Sequence, residues 1–125
     1  VSAYTTQLFH HWQKKENIPD ASLCAAIDEM SRGLIDANLG GGLVKKRIAR
    51  AGAGKSSGFR TLLATNKNDR WIFVYGFAKN ERDNIDNQEV LALKKLAAAL
   101  LVMDAQTISG LLANKELKEI CNHEK

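Results

Sequence analysis

Apolar and polar positions divide the chain into three parts. In the first, Leu8, Phe9 and Trp12 fall on one side of a helix that Thr5 or Thr6 caps, and Lys14 and Lys15 suit its C-terminal end. Residues 1–4 leave room for a short strand ahead of it. After Pro19, Asp20 is set to cap a second helix in which Leu23, Ala26, Ile27, Met30 and Leu34 follow the i, i+3, i+4, i+7 spacing. The pattern predicts a helical hairpin over about 5–34 that covers something.

Gly40-Gly41-Gly42 then breaks the helical period, and strands are expected over 43–50, 59–65 and 71–78. The last two are separated by Asn66-Lys67-Asn68-Asp69-Arg70, a turn by composition. Short connections predict three antiparallel neighbours in a sheet over about 43–78. Alternation along the third strand predicts Trp71, Phe73, Tyr75 and Phe77 on one face and Ile72, Val74, Gly76 and Ala78 on the other, so this strand is expected at the centre.

The third part is helical again. Asp86 and Glu89 have the spacing of a capping box, with Ile85 and Val90 as a hydrophobic staple around it. Val90, Leu93, Leu96, Ala97, Leu100 and Leu101 form an apolar face, and Asp104 is set to cap a further helix through Ile108, Leu111 and Leu112. These C-terminal helices cover about 87–114, and the charged tail from Lys115 onward receives no element. The sum is one α+β domain spanning 1–125.

Composition adds limits. With 125 residues and 45% hydrophobic residues, the chain suits a single folded core and is not a disordered segment. Cys24 and Cys121 lie far apart with no cysteine cluster near either, which suggests a reducing compartment. No run approaches a membrane span and no signal-peptide core is visible, so a cytosolic protein without a membrane partner is expected.

Charge changes the picture more. Of the 18 Lys and Arg, ten lie between Leu43 and Arg82, against only Asp69 and Glu81, while both flanks are net acidic. Such a concentration is the footprint of a polyanion partner. Alternation along the first strand directs Lys45 and Arg47 to one face, with Val44 and Ile48 on the other. Six cations from Lys45 to Arg60 have no acid among them, and an anionic ligand would relieve their repulsion. Arg60, inside an apolar strand, must reach a partner or share an exposed face with Lys45 and Arg47. Lys46, Arg50, Lys55 and Lys79 complete the basic set, and Tyr75 and Phe77 are near enough to stack on unpaired bases, although core packing is the ordinary role for such rings.

Gly54-Lys55-Ser56 is a fragment of a phosphate-binding loop. The full pattern needs glycine where Ala49 stands and a helix after the serine, where a strand is expected, so the glycines read as a flexible hairpin loop rather than a nucleotide site. No His, Cys or acidic residues stand at metal-ligand spacing, and no cofactor is expected.

Three blocks, Gly42-Leu43-Val44-Lys45-Lys46-Arg47-Ile48-Ala49, Gly52-Ala53-Gly54-Lys55-Ser56-Ser57-Gly58-Phe59-Arg60 and Tyr75-Gly76-Phe77-Ala78-Lys79-Asn80-Glu81-Arg82-Asp83-Asn84-Ile85, resemble the signature of the RelE/ParE superfamily of bacterial toxins, most closely its HigB-like branch. The resemblance implies a RelE-like fold of two N-terminal helices packed on a small twisted antiparallel sheet. It also implies a cytoplasmic type II toxin–antitoxin hetero-oligomer with a helix-turn-helix antitoxin. Many members enter the ribosomal A site, bind ribosomal RNA and cut messenger RNA as endoribonucleases, or mRNA interferases.

Carried over by position, Lys45, Arg47, Arg60 and Arg82 are the implied catalytic residues, with Lys79 in the same basic cluster. Cleavage by a ribose 2′-hydroxyl needs a base, positive charge on the phosphate oxygens and an acid for the leaving oxygen. Lys45 is the candidate base, Arg60 the first choice to hold phosphate and Arg82 the second. A ParE-like inhibitor of DNA gyrase without nuclease activity, and a degenerate toxin kept for antitoxin binding and autoregulation, are the alternative readings.

Overall fold

The structure, a computed structural model, describes residues 2–50 and 58–121. In chain order the elements are β1 (Ser2–Thr6), α1 (Gln7–Lys15), α2 (Asp20–Ser31), β2 (Ala37–Gly40), β3 (Leu43–Ile48), β4 (Phe59–Thr65), β5 (Arg70–Ala78), α3 (Asn87–Leu101), α4 (Ala105–Ala113) and β6 (Leu117–Ile120). The strands form one sheet in the order β2-β3-β4-β5-β1-β6. Every neighbouring pair is antiparallel except β1 and β5, which run parallel.

Helices cover both faces of this sheet, and its two faces feed two cores. On one side, Phe9, Leu23, Ala26, Ile27 and Met30 of α1 and α2 pack on Val44, Ile48, Phe59, Leu63, Trp71 and Phe73. On the other, Ala97, Leu100 and Ile108 of α3 and α4 pack on Leu43, Leu62, Ala64, Ile72, Val74 and Phe77.

The ends of these helices follow from local chemistry. Thr6 caps α1 by accepting from the Phe9 amide at 3.2 Å. At α3 the capping box is complete: the Glu89 amide donates to Asp86 Oδ1 at 2.8 Å, and the Asp86 amide donates to Glu89 Oε1 at 2.9 Å. Asp104 caps α4 through the Thr107 amide. Asp20 is the first residue of α2 rather than its cap, and Pro19 holds the cap position without a side-chain bond. Leu34, expected on the α2 stripe, lies beyond the helix and is exposed.

Helix α2 spans most of one sheet face. Its N-terminal Asp20 lies 3.8 Å from Lys118 of β6, and Glu29 near its other end pairs with Lys46 of β3. Twelve helical residues extend about 18 Å, and four inter-strand spacings, from β6 to β3, amount to about 19 Å. The helix matches the width it covers. Cys24 and Cys121 form a disulfide that fastens α2 to the residue following β6, with their Cα atoms 5.5 Å apart. Wide spacing is therefore no guide to pairing, because ninety-seven positions of sequence separation place no limit on distance once β6 folds back beside β1.

Three further expectations are corrected. The short strand allowed for at residues 1–4 is present as β1, but α1 and α2 rest separately on the sheet rather than forming an opening hairpin. The sheet has six strands, not three, because β1, β2 and β6 add to the expected antiparallel set. Finally, the β4–β5 register shifts between Leu62 and Leu63, which pair with Tyr75 and Phe73 and leave Val74 as an extra residue. Such a bulge reverses the facing of everything beyond it. Trp71 and Phe73 therefore face α1 and α2, whereas Tyr75 and Phe77 lie on the α3 side with Ile72 and Val74. Gly76 turns toward α1, where the Trp12 ring occupies the space a side chain would need.

Candidate nucleic-acid interface

The bulge brings the aromatic and cationic residues onto one face. Leu43 and Leu62 belong to the core under α3, and alternation puts Lys45, Arg47 and Arg60 on that same side. Strand register then arranges them in rows. Arg47 pairs with Arg60, which pairs with Phe77; one step along, Lys45 pairs with Leu62, which pairs with Tyr75. Three cations and two rings thus share two adjacent rows across β3, β4 and β5.

Burial differs among them. Arg60, at the centre, is only 9% exposed, Lys45 and Tyr75 are half-buried, and Arg47 is exposed. Lys45 Nζ donates to Asn84 Oδ1 at 3.0 Å. The Arg47 Nε donates to Asp36 Oδ1 at 3.2 Å, and its backbone amide donates to Asp36 Oδ2 at 2.7 Å. These are exposed partners, worth little in water and open to exchange for a phosphate.

Arg82 closes the surface from the segment between β5 and α3. Its Nη1 and Nη2 donate to the two carboxylate oxygens of Glu89 at 3.0 and 2.6 Å, and Nη1 also donates to Tyr75 Oη at 3.2 Å. The Nε donates to the Asn84 carbonyl at 3.0 Å, while the guanidinium lies 5.6 Å from the centroid of the Phe77 ring. Hydrogen bonding to Glu89 raises Arg82 above its ordinary pKa, opposed by burial and reinforced by the charge of Glu89 and by Tyr75. Glu89 is held below its usual range, first by Arg82 and then by the Asp86 amide.

The other sequence candidates go elsewhere. Lys46 points to the opposite face, is 3% exposed, and sits 2.7 Å from Glu29 Oε1 while donating to the Leu34 carbonyl at 2.8 Å. It is a structural cation under α2 and, contrary to the expectation for RNA binding, does not share the face of Lys45 and Arg47. The alternation that separates Lys45 and Arg47 from Val44 and Ile48 already assigned it there. Arg50 lies 4.6 Å from the Phe59 ring centroid, and Phe59 belongs to the α1–α2 core, so Arg50 flanks the other side of the sheet. Lys79 is 3.7 Å from Asp83 at the margin of the surface. Lys55, with the rest of residues 51–57, lies outside the described residues, and the strand β4 follows at Phe59.

Asp36, Asn84 and Glu89 are the residues that sequence reading missed as parts of this surface. Only Glu89 carried a signal, and that was for capping. Among the described residues no three His, Cys, Asp or Glu side chains gather as metal ligands, and no single helix is long and apolar enough to cross a membrane.

Compared with known families, residues 1–120 match the model described as the RelE toxin of the RelE/RelB toxin–antitoxin system. No curated protein matches the chain.

Proposed function

Because the chain belongs to the RelE toxin family, which makes it the toxin of a toxin–antitoxin pair with an antitoxin as its partner, we propose that it arrests translation by cutting messenger RNA in the ribosomal A site. The observation that carries this reading is the pair of cross-strand rows, Arg47–Arg60–Phe77 and Lys45–Leu62–Tyr75, on one sheet face. A sugar–phosphate chain needs cations for its phosphates and flat rings for its bases, and both lie within two strand positions of each other. Arg60 grips the phosphate being attacked. Lys45 takes the proton from the 2′-hydroxyl, and Arg47 holds a neighbouring phosphate after exchanging it for Asp36.

The same reading assigns the protein to the HigB-like branch on its Gly54-to-Arg60 and Gly76-to-Glu81 blocks, gives it a helix-turn-helix antitoxin, and sets its action in the bacterial cytoplasm where ribosomes are. Primer extension on a translated message after induction is the test. Wild-type protein is expected to leave cuts within codons, and Lys45→Ala or Arg60→Ala to abolish both the cuts and growth arrest while the protein stays folded. Intact messages with DNA damage would transfer the protein to a gyrase-inhibiting class. Folded wild-type protein that leaves growth and messages untouched would make it a degenerate toxin.

A further inference from the structure

Arg82 stands in the basic cluster as a second phosphate ligand, and its hydrogen bonds argue against that role. A guanidinium has five N–H donors. Two go to Glu89, one to Tyr75 and one to the Asn84 carbonyl. A bidentate grip on phosphate needs two parallel N–H groups on one edge, and the edge formed by Nη1 and Nη2 is already taken by the Glu89 carboxylate. The Phe77 ring beneath the guanidinium and the capping box that fixes Glu89 at the start of α3 hold the arrangement in place.

What Arg82 does instead is orient a hydroxyl. Its Nη1–H donates to Tyr75 Oη, so that oxygen acts as an acceptor and its own proton must point away from the arginine. Tyr75 is half-buried, on the same face as Lys45 and diagonal to Arg60 across the β4–β5 pair. A phenol fixed in this way is ready to give a proton rather than to take one. The phenolate left behind would already have an arginine N–H on its oxygen.

We infer that Tyr75 is the proton donor to the leaving 5′-oxygen, and that Arg82 and Glu89 are positioning residues that act through it. This rests on the nuclease reading above. In the step, the 2′-oxygen bonds to phosphorus and its proton passes to the Lys45 amine. The bond from phosphorus to the 5′-oxygen breaks, giving a 2′,3′-cyclic phosphate, and the 5′-oxygen takes the Tyr75 proton. Water later reprotonates the phenolate, and the lysine returns its proton to solvent.

The test uses ribosomes programmed with a synthetic RNA, either all-oxygen or carrying sulfur at the scissile 5′ position, since a thiolate leaves without needing a proton. On the oxygen substrate, Tyr75→Phe is expected to slow single-turnover cleavage by about 10²–10⁴-fold, with binding to the programmed ribosome changed less than about threefold. On the sulfur substrate, Tyr75→Phe should cleave within about tenfold of wild type, and Arg82→Met and Glu89→Gln should be rescued in the same direction. Wild-type rates for Tyr75→Phe on the oxygen substrate, or a slow variant that sulfur does not rescue, would overturn the assignment while leaving the nuclease reading intact. Wild-type protein that cuts neither substrate would sink that reading and this inference together.

Discussion

Reducing the Cys24–Cys121 bond opens a loop of 97 positions, nearly the whole described chain. In the chain-entropy account, a closed loop of about 100 residues stabilises the folded state by about 4.7 kcal/mol, and native disulfides removed from small domains cost about 2–5 kcal/mol. Against a typical total of about 5–15 kcal/mol, a contribution of that size ranges from about an eighth of the stability to nearly all of it. For a domain of this size each kcal/mol corresponds to about 3–5 °C, so reduction is expected to lower the melting temperature by roughly 10–20 °C. Urea unfolding of oxidised and reduced protein, with thiols counted by alkylation, gives both the midpoint and the slope. The slope should rise on reduction, because a chain without the cross-link expands further when unfolded. Equal midpoints for the two forms, or free thiols in air-oxidised protein, would refute the reasoning. The same comparison measures the stability the toxin retains wherever reducing thiols break the bond.

Other perturbations follow from the packing. Gly76→Ala would drive a methyl into the Trp12 ring, and a loss of about 1–3 kcal/mol is expected from calorimetry. Glu29→Gln leaves the buried Lys46 without its counter-charge; the cost should be about 2–4 kcal/mol, moderated because Glu29 is partly exposed. Lys46→Met should fold at least as well as that variant and keep full growth inhibition, since the Lys46 side chain lies on the sheet face opposite the Lys45 and Arg47 side chains. Glu89 is depressed by Arg82, so the stabilisation it brings is complete above its unfolded pKa and is lost as pH falls through its lower folded value. An acid titration followed by near-ultraviolet signals from Tyr75 should show that loss below the ordinary glutamate range, and Glu89→Gln should remove it.

The middle of the chain was the most readable. Strands β3, β4 and β5 are long, apolar and joined in sequence, and the capping residues of α1, α3 and α4 announce themselves by type and spacing. Alternation also identified the shared face of Lys45 and Arg47. It failed at the β5 bulge, because an extra residue leaves no mark in a run that is apolar on both sides. It failed again at β6, where Leu117 and Ile120 are the buried residues and a three-residue apolar interval reads as helix or nothing. Strand β2 exists through its pairing with β3 and the glycine turn between them, with no propensity of its own. Tertiary pairing also explains the disulfide, which is not visible until β6 aligns beside β1; the link between Arg82 and Glu89 spans only seven positions, but it depends on how the chain turns from β5 into α3.

Strand β1 has a consequence for assembly. Tyr4 is flanked on one side by Ile72 and on the other by Glu119, so that half of the sheet requires three remote segments to meet. By contrast, β3, β4 and β5 join neighbour to neighbour, and their pairing closes only short loops. A nascent chain can therefore form the cation-bearing surface before the segment that will become β6 has left the ribosome, so a partner binding that surface would have a head start on completion of the fold.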